Sequence, residues 1–109
     1  MVTVITRAEL AEAIESGSVT VLDTLGPAYY AKAHLPGARI LVEADVEALA
    51  AQVLPDRDAA IVTYCSNEVC RNSENVAVKL QALGYGNVRA YRAGIADWAA
   101  AGLPVESGA

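Results

Sequence analysis

The chain has 109 residues, thirteen acidic and eight basic, for a formal net charge of −5. Its balance of 54% hydrophobic to 19% charged residues fits one ordered globular domain and argues against disorder. The basic residues form no cluster and no run of about eighteen apolar residues occurs, so neither nucleic-acid binding nor a membrane span is expected. Residues 1–10 lack the apolar stretch of a signal peptide, which makes the cytoplasm the expected location. Phe is absent, so the core must be built from small aliphatic side chains, helped by Tyr29, Tyr30, Tyr64, Tyr85, Tyr91 and Trp98.

Strand and helix signals alternate along the chain. Residues 2–5 are short and β-branched. Thr6 and Glu9 then form a capping box for a helix over 7–16, with Leu10 and Ile14 on one face and Gly17 at its end. Residues 19–22 are a continuous apolar run ending at Asp23, which predicts a buried parallel strand. Pro27 opens a short helix partly covered by Tyr29 and Tyr30, and Pro36-Gly37 marks a turn before a strand at 38–42. A helix over 45–53 is closed by Pro55, and a strand over 59–64 runs directly into Cys65. The pattern Val76, Leu80, Leu83 predicts a helix over 71–83, with Gly84 just past its end. A strand at 88–91 and a helix over 95–101 follow, stopped by Gly102 and Pro104, and 106–109 reads as a frayed tail. Strands separated by helices predict an α/β fold with a parallel sheet covered on both faces. No repeat or linker divides the chain.

Open parallel sheets bind ligands beyond the carboxyl ends of their strands, and Cys65 stands at such an end. The loop Ser66-Asn67-Glu68-Val69 is short enough that it must curl. Its amides and the positive end of the following helix can then favour an anion at the Cys65 sulfur. A free thiol has a pKa near ~8.5, so such a cradle would raise the reactive thiolate fraction. This is the case for Cys65 as a nucleophile. The alternative is a small buried side chain at a strand end, but that would not call for a polar loop and a helix start directly after it.

Cys70 and Arg71 close the loop. Fully extended, Cys70 would lie roughly 17 Å from Cys65 at ~3.4 Å per residue, whereas a disulfide needs Cα atoms within about 7 Å. Only a tightly curled loop makes Cys70 a resolving thiol; otherwise it packs at the start of the helix. Arg71 either grips an anionic substrate or is an exposed side chain in a first helical turn, a poor place for a cation. A structural zinc site normally needs four ligands and only His34 could join the thiols, so no metal is expected.

Asp23, then Ala33-His34-Leu35-Pro36-Gly37-Ala38, Tyr64-Cys65, Leu83-Gly84-Tyr85, Tyr91-Arg92-Ala93-Gly94, Asp97-Trp98 and Ala101-Gly102-Leu103-Pro104-Val105 follow one another in an order that resembles the rhodanese family. The resemblance runs from about Ile5 to Val105. It implies a five-stranded, mainly parallel sheet flanked by helices. It also implies that Cys65 matches the catalytic cysteine, which takes sulfane sulfur as a persulfide and passes it to a thiophilic acceptor without a cofactor. The matching histidine, His34, is not the base in that family and is expected to be a scaffold residue, like Asp23 and Trp98.

The chain also departs from the family pattern. Leu25 stands where an arginine usually follows the aspartate, Ala93 replaces a glycine, and a couple more residues than usual separate Cys65 from Gly84. The active loop is therefore expected to be longer than in sulfurtransferases. Cys65 and Arg71 also show the Cys-x5-Arg spacing of cysteine phosphatases, although Asn72 replaces the usual hydroxyl residue and Glu68 would repel a dianion. Three functions are thus open: a sulfurtransferase using Cys65 and the loop Ser66, Asn67, Glu68, Val69, Cys70 and Arg71; a phosphatase or arsenate reductase using Cys65 and Arg71; or a redox-sensing or partner-binding module using Cys65 and Cys70. The expected partners are a small sulfur donor and a thiol or protein acceptor, and the assembly is a monomer or homodimer.

Overall fold

Parallel strands cannot be joined by tight hairpins, so a crossover must lie between each strand and the next. The computed structural model, which describes residues 2–108, follows this rule. Its elements in chain order are β1 (Thr3–Val4), α1 (Arg7–Ser16), β2 (Thr20–Asp23), α2 (Pro27–Lys32), β3 (Arg39–Ile40), a 3-10 turn (Glu43–Asp45), α3 (Val46–Val53), β4 (Ile61–Tyr64), α4 (Asn72–Ala82), β5 (Val88–Tyr91) and α5 (Gly94–Ala100). The strands form one sheet in the order β1-β5-β4-β2-β3, and every neighbouring pair is parallel. β4 is therefore central, between β2 and β5, and all four of its residues are buried.

Side chains alternate across the sheet, and the alternation builds two cores. Leu22, Ile61 and Val88 face one layer, where α3 and α4 supply Val46, Ala50, Val76, Ala77 and Leu80. Val21, Val62, Tyr64 and Tyr91 face the other, where α1 and α5 supply Leu10 and Trp98. A buried aliphatic side chain contributes about 1.5–3 kcal/mol, so Leu80→Ala in the first layer should cost about 2–5 kcal/mol.

Local signals set the helix ends. Thr6 Oγ1 accepts from the Glu9 amide and Glu9 Oε1 accepts from the Thr6 amide, completing the capping box. At the end of α4 the Tyr85 amide donates to the Leu80 carbonyl and the Gly84 amide to that of Gln81. This wrap requires a left-handed residue, and Gly84 supplies it with φ +98°.

Several expectations are corrected. The strand expected at 38–42 pairs only at Arg39–Ile40, and that expected at 2–5 only at Thr3–Val4, because both are edge strands with a single neighbour. β2 runs one residue further than expected, to Asp23, which pairs with both Tyr64 and Ile40. Tyr29 is 57% exposed and stands outside the core; it lies on a helix of one and a half turns whose inward position is held by Tyr30. The tail is not frayed over 106–108. His34 and Glu106 exchange backbone hydrogen bonds of 2.8 Å, the Gly37 amide donates to Glu106 Oε1, and the Gly108 amide donates to the Ala31 carbonyl. Ala109, the end of that expected tail, lies outside the described residues.

Candidate active site

Cys65 directly follows the central strand, and it is 1% exposed. The loop after it turns outward: Ser66 is half-buried, Asn67 and Glu68 are exposed, and Val69 is 85% exposed. The chain then returns through half-buried Cys70 and exposed Arg71 into α4.

Hydrogen bonds hold this curl at both ends. At the start, the first amides of α5 meet the loop: Ile95 N–H donates to the Cys65 carbonyl at 3.0 Å and Ala96 N–H to the Ser66 carbonyl at 2.9 Å. Gly94 makes this approach possible. It has φ +74°, and a Cβ there would lie 2.6 Å from the Ser66 backbone carbon and 2.7 Å from the Asn67 nitrogen. At the tip, Asn67 organises a turn, its side chain accepting from the Val69 amide at 3.0 Å and its carbonyl from the Cys70 amide at 3.2 Å. At the far end, Thr63 Oγ1 donates to the Ser73 carbonyl at 2.8 Å, tying β4 to the first turn of α4.

This curl brings the two thiols together. Cys65 and Cys70 are joined by a disulfide with their Cα atoms 6.2 Å apart, inside the range that such a bridge spans. The loop amides are used differently from expectation. Those of Val69 and Cys70 are committed to Asn67, and the helix end applied to the Cys65 backbone is that of α5.

Arg71 is paired outward. Its side chain is 68% exposed and lies 3.6 Å from Glu74 in the next turn, which offsets the misplaced charge of a cation at a helix start. The same Glu74 carboxylate contacts Arg92 at 3.0 Å. Tyr64 pairs with Tyr91 in the sheet, so Cys65 and Arg92 leave adjacent strands side by side. Arg92 is thus a cation at the edge of the site that sequence reasoning did not single out; the parallel register of β4 and β5 is what places it there.

The neighbouring turn, after β2, is built from buried polar groups. Asp23 is fully buried and accepts from the Leu25 amide at 2.7 Å and from the Tyr64 hydroxyl at 2.9 Å. The Tyr64 hydroxyl in turn accepts from the Leu35 amide, and Thr24 Oγ1 donates to the Tyr64 carbonyl at 2.8 Å. Burial first, and the Asp23 charge second, push the Tyr64 hydroxyl well above the ordinary tyrosine range and keep it a proton donor. With Leu25 offering Asp23 only its amide, the side-chain donor to this carboxylate is the Tyr64 hydroxyl. The absent cation was the available signal, since a buried carboxylate must find a donor elsewhere.

His34 serves as scaffold: it is buried, stacked on the Tyr30 ring at 3.6 Å, with Nδ1 2.7 Å from the Tyr30 carbonyl. Trp98 is core, and its Nε1 donates to the Pro104 carbonyl. Among the described residues no cluster of three potential metal ligands occurs, and no helix is long and apolar enough to cross a membrane.

A five-stranded parallel sheet with a cysteine at the carboxyl end of its central strand, opening a loop clamped by the last helix, defines an α/β protein of the rhodanese fold. The model of the Rhodanese-like domain family matches residues 6–101, and the chain belongs to that family. It is similar to the HTH-type transcriptional regulator Rv0324 of Mycobacterium tuberculosis, with 36% identity over 105 residues; the match covers 96% of this chain and 45% of the regulator. The chain therefore spans less than half the length of that relative. Among solved structures, the BH2092 protein from Bacillus halodurans superposes with a TM-score of 0.88 at 24% identity, over 96% of this chain and 77% of that one. A rhodanese with anions from E. coli gives a TM-score of 0.69 at 26% identity, over 83% of this chain and 99% of the other.

Proposed function

We propose that this domain is a sulfurtransferase in which Cys65 carries sulfane sulfur as a persulfide. The observation that carries this reading is the position of Cys65 at the carboxyl end of β4, at the head of a loop held by the amides of Ile95 and Ala96. With the disulfide reduced, the Cys65 thiolate attacks the sulfane sulfur of a small donor and expels the rest of the donor. The persulfide then yields its outer sulfur to a thiol or a protein acceptor. The backbone of residues Ser66, Asn67, Glu68, Val69, Cys70 and Arg71 forms the donor-binding loop, and the Cys70 side chain takes no part in loading Cys65. The domain works as one unit over residues 1–109, in the cytoplasm, as a monomer or homodimer, without nucleic acid or membrane.

The test is intact mass spectrometry of the reduced protein after incubation with thiosulfate and, separately, with a polysulfide. A gain of one sulfur atom that cyanide or a thiol discharges, absent in Cys65→Ala, is the expected result. Turnover of an aryl phosphate or arsenate with no sulfur adduct would replace this reading by the phosphatase or arsenate-reductase one. The outward pairing of Arg71 with Glu74 argues against that alternative, because such enzymes need the guanidinium turned into the loop.

A second reading is a redox-sensing module. It is favoured by the Cys65–Cys70 disulfide and by the likeness to a transcriptional regulator. Reversible loss of both free thiols under mild peroxide, without any sulfur uptake, is its signature.

A further inference from the structure

We infer that Cys70 is itself the first acceptor of the reaction at Cys65, so that the domain reduces sulfane sulfur to sulfide and consumes a dithiol. The inference rests on the persulfide reading above and extends it to the fate of the sulfur. In the step, the Cys70 thiolate attacks the inner sulfur of the Cys65 persulfide. The bond between inner and outer sulfur breaks, the outer sulfur leaves as hydrosulfide, and the Sγ–Sγ bond of the disulfide forms. The two cysteine thiols are oxidised by two electrons and the sulfane sulfur is reduced by the same two. An external dithiol then attacks the disulfide, passes through a mixed disulfide and restores both thiols.

Three observations support this step. The bond it forms is the one the structure contains, with Cα atoms 6.2 Å apart. The curl that sets this distance does not rest on the disulfide alone: Asn67 holds the Val69 and Cys70 amides, and α5 holds the Cys65 and Ser66 carbonyls. Cys70 is thus kept beside Cys65 when both are reduced. The two sulfurs also differ in access. Cys65 is 1% exposed while Cys70 is half-buried next to an 85% exposed Val69, so an incoming dithiol reaches the Cys70 sulfur first and releases Cys65 as the free thiolate. Chemistry favours the same direction, because hydrosulfide is a less basic leaving group than an alkyl thiolate. Attack on the inner sulfur therefore outcompetes transfer of the outer one to Cys70.

The experiment is a single turnover of the reduced, desalted chain with glutathione persulfide or thiosulfate, donors whose by-products are glutathione and sulfite and not sulfide. Sulfide release and intact mass are followed together. The wild-type chain should release one sulfide per molecule and finish two hydrogens lighter than it began. Cys70→Ser should finish one sulfur heavier and release sulfide only when dithiothreitol is added; Cys70→Ala serves the same purpose if the serine disturbs the turn. A wild-type chain that gains a sulfur and keeps it, with no sulfide and no disulfide, overturns this inference and leaves the persulfide reading standing. A wild-type chain that neither gains sulfur nor closes its disulfide, from either donor, overturns both.

Discussion

Two turns leave the carboxyl edge of the same sheet side by side, one after β2 and one after β4, and they are built in opposite ways. The turn after β2 is closed on itself. Asp23 and Thr24 are buried, and Tyr64, Leu25 and Leu35 are tied to them or to one another through hydroxyl, carboxylate and amide. The loop after β4 is anchored at its base, while its tip, Asn67, Glu68 and Val69, faces solvent. A satisfied buried network is costly to disturb, because breaking one bond in it leaves a polar group unpaired in a low-dielectric interior. A loop held by backbone contacts, with its side chains turned to solvent, keeps Cys70 partly accessible while it fixes Cys65 in place. The locked turn positions the reactive one: Tyr64, which it grips through the side chain, is the residue before Cys65.

Substitutions should separate the two regions, and the largest effect is expected at the loop. Cys65→Ala should remove sulfur uptake entirely while changing the unfolding free energy of the reduced protein by only about 1 kcal/mol; urea melts and intact mass read the two quantities, and a variant that still takes up sulfur assigns the chemistry elsewhere. Gly94→Ala strikes the joint between strand end, loop and α5. A left-handed non-glycine residue costs about 1–2 kcal/mol, and the new Cβ also meets the Ser66 backbone at 2.6 Å. Stability and sulfur uptake should fall together, and uptake at the wild-type rate would show that the clamp on the loop is dispensable. Tyr64→Phe strikes the locked turn. It leaves buried Asp23 without its hydroxyl donor, at a cost of about 2 kcal/mol, and should spare sulfur uptake far more than Gly94→Ala does. Unchanged stability in this variant would mean that Asp23 draws its support from the Leu25 amide alone.

The same contrast governs how much of the molecule could be read from its sequence. The sheet and its helices were legible because buried parallel strands and capped helices are written locally: the apolar run ending at Asp23, the Thr6 and Glu9 box, the glycine after α4. The position of Cys65 at the end of the central strand was legible because the apolar run before it leads directly into it. The pairing of Cys70 with Cys65 was not, since spacing permits either an extended or a curled loop and only the Asn67 turn decides. The locked turn was legible only in part: Leu25 in place of a cation shows that Asp23 needs another donor, but that donor, Tyr64, is 41 positions away and nothing local names it. The tail failed for the same reason, because the partner of Glu106 is His34, met only once the fold is formed. Arg92 became visible only through the register of β4 and β5.

The smallest expected effects are on the pH dependence of stability, and they again divide by region. Tyr64 in the locked turn has its hydroxyl pushed up by burial and by the Asp23 charge. A raised acid of this kind contributes stability that is complete below the ordinary tyrosine value of 10.0 and is lost as pH rises above it. Wild-type protein should therefore lose stability in alkali more steeply than Tyr64→Phe, with Tyr91, raised by burial and by its bond to Asp97, supplying what dependence remains. The acid side is set at the surface. Asp97 is held below its usual 3.8 by the Tyr91 hydroxyl first and then by Arg7 at 2.9 Å. A lowered carboxylate contributes stability above its ordinary value and loses it as pH falls through the folded-state value. Asp97→Asn should flatten the acid arm of a urea-midpoint profile and soften the alkaline arm only by the part of the Tyr91 contribution that its carboxylate supports, and because Arg7 is half exposed, added salt should shrink its share. An alkaline arm that flattens in Asp97→Asn, or one that survives intact in Tyr64→Phe, would mean that Tyr91 and not Tyr64 governs the basic limit, and that the turn after β2 is less tightly locked than its hydrogen bonds imply.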